Sequence, residues 1–318
     1  MYKEGLKGLM IEKMKEIKRV FAEYFAILDN QPNIIKDYAD YIEHHTAMTN
    51  NNKNLELQKI EIENMQGLLK RLEGSIKPEY NGDLEYIKNQ YSKLQVELAK
   101  ASEIIKAKKP EMMTNIDREM DTVKKYIKQY ESNLMKDKFV EETCAPADVL
   151  KELNELKRNI DKQRDKNDYF TKIRKLMDLT TPPNKDLADL EMKYNDRKLL
   201  WTHVDKLLKC HEDWYKTNIR MLDSEDIQKE MQQFDSTVMQ LKLRINNLSQ
   251  DGKDKVLEVH EARIRKIAGL MPIISSLANR DLKDKHWKKI FDKLEQPMPA
   301  NKSVSLTELL SYGVEDKR

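Results

Sequence analysis

Apolar residues recur along most of this chain at alternating steps of three and four, the spacing that keeps them on one face of a 3.6-residue helical spiral. Met10, Met14, Ile17, Phe21, Tyr24 and Leu28 hold that step until Asn30-Gln31-Pro32, where proline removes a backbone donor and restricts the residue before it. Ile35, Tyr38 and Ile42 open a second pattern. It lapses over the Asn-rich stretch Thr46 to Asn54, which reads as a loop or a locally broken helix, and resumes with Leu55, Ile62, Met65, Leu69 and Leu72. After a turn at Gly74 and Pro78, the stripe Leu84, Ile87, Tyr91, Leu94, Leu98, Ala101 and Ile105 runs to Lys109-Pro110, and Met113, Ile116, Met120, Val123, Ile127, Tyr130 and Leu134 follow. Two long helices meeting at Pro110 predict an antiparallel helical hairpin.

A further helix begins at about Pro146, since proline is tolerated in a first turn, and carries Val149, Leu153, Leu156, Ile160 and Phe170. Thr180-Thr181-Pro182-Pro183 is the clearest break, and it divides the chain into a helical bundle, 1–183, and a second region, 184–318. There Leu187, Leu190, Tyr194, Trp201, Val204, Leu208 and His211 share a face, and Asp223-Ser224-Glu225-Asp226 supplies a cap and first-turn acids. The helix it starts, from Ile227 through Phe234 to Leu248, is stopped by Gly252, and another with Val256, Val259, Ile264 and Ile267 leads into Pro272. No stretch shows the period-two alternation of a strand. The predicted fold class is all-α, an elongated array of antiparallel helical bundles and long helical hairpins.

Composition narrows this picture. Charged residues make up 36% of the 318 positions and hydrophobic ones 39%, with a mean hydropathy of −0.80, so narrow stripes on long helices replace one thick core. Lys and Arg number 58 against 55 Asp and Glu, with the signs interspersed. A nucleic-acid partner, which calls for a basic stripe, is not expected. No apolar run approaches the roughly 20 residues of a bilayer span, so no membrane partner is expected either. Cys144 and Cys210 lie far apart, without metal-ligand spacing.

Candidate chemistry is sparse. The pair Gly252-Lys253 is followed by Asp254, which does not make a phosphate-binding loop. His44, His45, His203, His211, His260 and His286 show no four-residue pairing for a metal and read as structural histidines. The carboxylates sit among lysines at helical spacing, as solvated faces do. Catalytic, cofactor-binding and metal residues are therefore all assigned as none. The lysines around Trp287 read as the outer face of an amphipathic helix that buries Trp287, Ile290 and Leu294.

Leu270-Met271-Pro272-Ile273-Ile274, then Leu277-Ala278-Asn279, Leu282 and His286-Trp287-Lys288-Lys289-Ile290, resembles the linker entry of dynein heavy chains. A later element, Ser305-Leu306-Thr307-Glu308-Leu309-Leu310, follows the insertion Pro297-Met298-Pro299. Lys285 stands where the family commonly has arginine before His-Trp. The resemblance runs from about Asp186 onward and leans toward axonemal members of the family; before that point only a generic likeness to tail bundles holds. Its signature residues are Leu270, Pro272, Leu277, Asn279, His286, Trp287, Leu306, Leu309 and Leu310, expected to serve packing.

The resemblance implies a fragment covering the end of the tail, 1–183, and the tail-to-linker junction, 184–318. It implies a non-catalytic lever that couples an ATPase ring to the tail of a microtubule motor. ATP and Mg are expected only in a downstream motor domain, none in this segment. The implied partners are the rest of the heavy chain and other heavy, intermediate or light chains, and the implied location is the cytoskeleton, in a ciliary axoneme. Pro182-Pro183 and the loop from Pro297 to Lys302 are the expected points of compliance. The rival is a passive spectrin-like or coiled-coil scaffold, against which stands the lack of any regular recurrence of Trp201, Trp214 and Trp287.

Overall fold

A computed structural model describes residues 2–73, 78–245, 253–300 and 303–316. Among these are nine α-helices: α1 Tyr2–Leu28, α2 Ile35–Glu73, α3 Pro78–Leu134, α4 Pro146–Leu176, α5 Lys185–Lys216, α6 Ser224–Ile245, α7 Lys255–Leu277, α8 Asp284–Leu294 and α9 Leu306–Ser311. The described residues hold no strand, only an isolated antiparallel bridge between Asn218 and Ser305. The all-α class is as the stripes predicted.

The chain forms two compact units, one of residues 1–123 and 166–183, the other of residues 124–165 and 184–318. In the first, Met10, Met14, Ile17 and Phe21 of α1 share a core with Met48, Leu55, Ile62 and Leu69 of α2 and with Leu84, Ile87, Leu94 and Leu98 of α3. The helices alternate in direction. Lys13 of α1 meets Glu61 of α2 at 2.5 Å while Lys3 reaches the Leu72 carbonyl at 3.2 Å. A second core of this unit gathers Tyr38 and Ile42 of α2, Met112 and Ile116 of α3, and Phe170 and Ile173 of α4.

Two expectations are corrected here. The stretch Thr46 to Asn54 is continuous helix within α2. Its asparagines contact other helices instead of bending their own backbone: Asn51 Nδ2 donates to Tyr24 Oη at 2.9 Å. Asn52 and Gln95 exchange both amide bonds, at 3.0 and 2.7 Å. Weak local propensity is overridden by partners on α1 and α3. The hairpin at Pro110 is absent, because α3 continues through it, as α7 does through Pro272. Pro110 and Lys106 are exposed, so the carbonyl left without an N–H faces water, while Met112 and Ile116 bury the next turn. Lys108 donates to the Pro32 carbonyl, and Lys109 to that of Met177 at 2.6 Å. The chain reverses instead between Leu134 and Pro146.

The second unit is built around α5. Its buried face, Leu187, Leu190, Tyr194, Leu200, Trp201, Val204 and Leu207, is covered from several sides. Trp201 Nε1 donates to the Phe139 carbonyl at 2.9 Å. Asn184 caps α5 by accepting from the Leu187 N–H at 3.2 Å, and the Asp223 carboxylate accepts from the N–H groups of Glu225 and Asp226 at the start of α6, the cap the sequence announced. The predicted stop at Gly252 and the predicted turn residue Gly74 lie outside the described residues.

Proline within a helix interior is a net cost even where the fold tolerates it. Pro110→Ala is expected to raise stability by about 1–2 kcal/mol, the lost bond restored less the entropy proline withholds from the unfolded chain. Urea denaturation of the two proteins measures this, and a loss of stability would mean that Pro110 has a packing role.

Candidate functional site

The segment singled out by its pattern, Leu270 to Leu310, is fastened to the end of α5 and the turn that follows it. Helix α7 ends at Leu277, with the Ala278 N–H bonded to the Ile274 carbonyl at 2.8 Å. The Asn279 side chain accepts from the Asp281 N–H at 2.9 Å, forming a local turn. His286 Nδ1 accepts from the Lys283 N–H at 3.1 Å and so caps the start of α8. Trp287, Phe291 and Leu294 are buried on one face of α8, with Ile290 half-buried at its margin. Glu295, at φ 58°, closes the helix in the left-handed conformation.

Arg220, in the turn Ile219–Met221, lies with its guanidinium 4.8 Å from the centre of the Trp287 indole and bonds Asp284 at 3.1 Å. One side chain thus covers the aromatic face and pairs the first acid of α8. Further along, the Ile219 N–H donates to the Val304 carbonyl at 2.9 Å, beside the Asn218–Ser305 bridge. Thr307 Oγ1 donates to the Tyr215 carbonyl at 2.8 Å. Ser305 and Glu308 form a reciprocal capping box on α9, whose backbone N–H and hydroxyl hold the Glu308 carboxyl below its usual range.

The nine residues of the signature divide by environment. Leu270, Leu277, Trp287, Leu306 and Leu309 are buried; His286 and Leu310 are half-buried; Pro272 and Asn279 are exposed. Phe291, which meets Tyr312 edge-on with ring centres 6.4 Å apart, belongs to the same cluster although the sequence pattern did not single it out.

Two buried polar pairs between α5 and the start of α7 were not foreseen. Arg197 on α5 and Asp254 before α7 bond at 2.7 Å, with 5% and 3% of their side chains exposed. Asp254 also accepts from the Leu257 N–H at 3.0 Å, capping α7. The reading of carboxylates as solvated faces fails here, although Asp254 stands directly before an apolar run, as a cap does. His203 Nδ1 and His260 Nε2 lie 3.0 Å apart, with Phe234 edge-on to His203 at 4.7 Å. His260 Nδ1 is buried without a partner. A buried lone pair costs less to leave unpaired than a buried N–H, so His260 donates from Nε2 and His203 accepts. Burial, with Lys206 nearby, pulls His203 down to about 4; burial, His203 and Arg263 pull His260 down to about 3. Cys210, whose thiol meets Glu230, is pushed up to about 11 by its burial and that carboxylate, the opposite of an activated nucleophile. No group of three or more metal-ligating side chains stands together among the described residues.

Residues 187–318, which contain the fastened segment and both buried pairs, match the family described as "Dynein heavy chain, N-terminal region 2". Over these residues the chain is similar to a dynein heavy-chain region. Among curated proteins, it is similar to dynein axonemal heavy chain 2 of Homo sapiens, 17% identical over 314 residues, and to that of Mus musculus, 18% identical over 318 residues. Each alignment covers 98% of this chain and 7% of the relative's length. The alignment with dyneins therefore extends through α1 to α4, where the family match does not reach.

The buried pairs of residues 187–318 make two measurable demands. Above about pH 6.5 both histidines are neutral in either state; below it only the unfolded chain takes up protons until pH reaches about 4. Stability should then fall over that window by at most about 1.4 kcal/mol per pH unit for each histidine. The double variant His203→Phe, His260→Leu is expected to flatten the decline between pH 7 and pH 5 in urea titrations. Separately, Arg197→Met strands the Asp254 carboxylate and is expected to cost about 3 kcal/mol or more. Lys229→Met, at an exposed pair with Asp226, should cost less than about 0.5 kcal/mol in the same assay.

Proposed function

We propose that this chain is a non-catalytic, force-transmitting segment of a dynein heavy chain, coupling an ATPase ring carried elsewhere in that heavy chain to its tail. The observation behind the reading is the fastening of the 270–310 segment to α5 by Arg220 over Trp287, the Asn218–Ser305 bridge and Thr307 on Tyr215. A segment held by several contacts at the end of one long helix passes a displacement to that helix, since the contacts must break together. Helix α3 adds a second stiff element, 57 residues long, or about 85 Å at 1.5 Å per residue.

On this reading ATP and Mg bind in the motor portion of the parent heavy chain, and the parent is the ATP-hydrolysing enzyme. The segment's partners are the remainder of the heavy chain and other dynein heavy, intermediate or light chains. On this reading its location is the axoneme of cilia, which the names of the similar proteins, dynein axonemal heavy chain 2, support.

The test loosens the fastening within a complete heavy chain, using Arg220→Ser with Thr307→Val. Coupling through this junction predicts that microtubule-activated ATP hydrolysis persists while gliding velocity falls several-fold. An unchanged velocity, with the same two substitutions shown to loosen α8 and α9 by hydrogen exchange, would make the segment a passive spacer.

A further inference from the structure

Within the second unit, the end of α3, the turn after it, one face of α5 and the start of α7 line a cleft of about 890 Å³. A concavity of this volume is large enough to hold a ligand or a short stretch of chain. Its α5 side chains are already neutralised. Lys193 is held by Glu131 of α3, and Arg197, one turn further along α5, is taken by Asp254.

The rest of the lining is not neutral. Lys128 and Lys136 come from the α3 side and Lys253 and Lys255 from the α7 side. All four are exposed, and no ion pair of theirs is present among the described residues. Against them stand two further carboxylates, Glu141 and Glu142. Glu141 is engaged in its own turn, accepting from Thr143 Oγ1 at 3.1 Å and meeting the Cys144 thiol at 3.7 Å. The lining as a whole carries a net +2, comparable to the +3 of the entire chain. Low-dielectric walls concentrate the field of such an excess, which favours an anionic occupant. Met135 and Val140, both half-buried, add apolar surface to the same wall.

The form of the anion follows from the mixture. A compact polyphosphate would bring its charge against Glu141 and Glu142 as well as the lysines, and the arginine that could grip it with two parallel bonds is occupied by Asp254. A nucleic acid calls for a continuous basic stripe, which the two glutamates interrupt. An extended peptide spaces single carboxylates along its length and turns alternate side chains to opposite sides. It can therefore meet lysines on both sides of the cleft, offer backbone N–H groups to the glutamates and lay an apolar side chain on Met135 and Val140.

We propose that this cleft is a docking site for an acidic peptide segment of a partner protein. Its carboxylates pair with Lys128, Lys136, Lys253 and Lys255, and an apolar side chain packs on Met135 and Val140. The site goes beyond force transmission and stands or falls separately from it.

Fluorescence anisotropy of the 318-residue chain with the labelled peptide Glu-Glu-Leu-Glu-Glu-Leu-Glu tests this. Saturable binding is expected. Lys136→Glu combined with Lys253→Glu should weaken it tenfold or more, with an unchanged circular dichroism spectrum because both side chains are exposed. Lys285→Glu combined with Lys289→Glu makes the same change in net charge on the outer face of α8 and should weaken binding less than twofold. A peptide with serine in place of leucine should bind several-fold more weakly. Absence of saturable binding, an equal loss in the two double variants, indifference to the serine change, or tighter binding of tripolyphosphate or oligothymidylate than of the peptide would each overturn the proposal, the last in favour of a phosphate-bearing ligand.

Discussion

Each long helix of this chain has one narrow apolar stripe, and burying it against neighbours is the constraint from which the fold follows. With more than a third of all residues charged, burial on each helix is confined to a limited face. Stability is therefore spread along helix length, as in α1, α2 and α3, whose core residues succeed one another from Met10 to Phe21 and from Leu84 to Leu98. A rod-like interior of this kind has many modest contacts and no single centre. Where a stripe must be covered from several sides, one helix is embedded: α5 buries Tyr194, Trp201 and Trp214, donates from the Trp201 indole to the Phe139 carbonyl and accepts from the Thr307 hydroxyl at the Tyr215 carbonyl.

Stripes alone do not fix register, because leucines and isoleucines slide past one another with little penalty. Polar contacts at stripe edges supply that information. The reciprocal amide bonds of Asn52 and Gln95 can form at one offset of α2 against α3, and the His45 contact with the Leu98 carbonyl at 3.1 Å agrees with it. In the second unit the same part falls to Arg197 with Asp254. A buried ion pair adds little net energy relative to an apolar pair of equal volume, but its loss on misalignment is severe. Both polar sets thus penalise wrong packings more than they reward the right one.

Legibility in the sequence followed the range of the interactions. Helix starts at Pro146 and Asp223 and the break at Pro182-Pro183 depend on residues within a few positions, and all were readable. Trp287 and Leu294 were readable as the buried face of α8 because a helical period reports its own face. The Asn-rich stretch and Pro110 were misread, since local preference argued for breaks that Tyr24, Gln95 and the buried Met112 override from elsewhere. The pairs Arg197 with Asp254 and His203 with His260 are each 57 residues apart, and nothing in spacing alone joins them. That both pairs share one separation has a simple cause: α5 and α7 lie in parallel register, so a six-residue step on α5 matches a six-residue step on α7.

The 270–310 segment shows how a recognisable pattern can arise without chemistry. Its most exposed signature members, Pro272 and Asn279, act through backbone: Pro272 leaves one carbonyl of α7 unpaired, and Asn279 turns the chain toward α8. Its buried members act through volume, and among them only Trp287 is also held by a charge, that of Arg220. Residues 304–307, by contrast, bond to the end of α5 mainly through main-chain groups, which tolerate many side chains. A tryptophan with a cation on its face, a turn-forming asparagine and a buried leucine pair are therefore the positions where substitution is most constrained. The intervening Lys285, Lys288 and Lys289 are exposed on the outer face of α8. On the reading proposed above, such a pattern suits a mechanical junction, where the load runs through packing and backbone bonds.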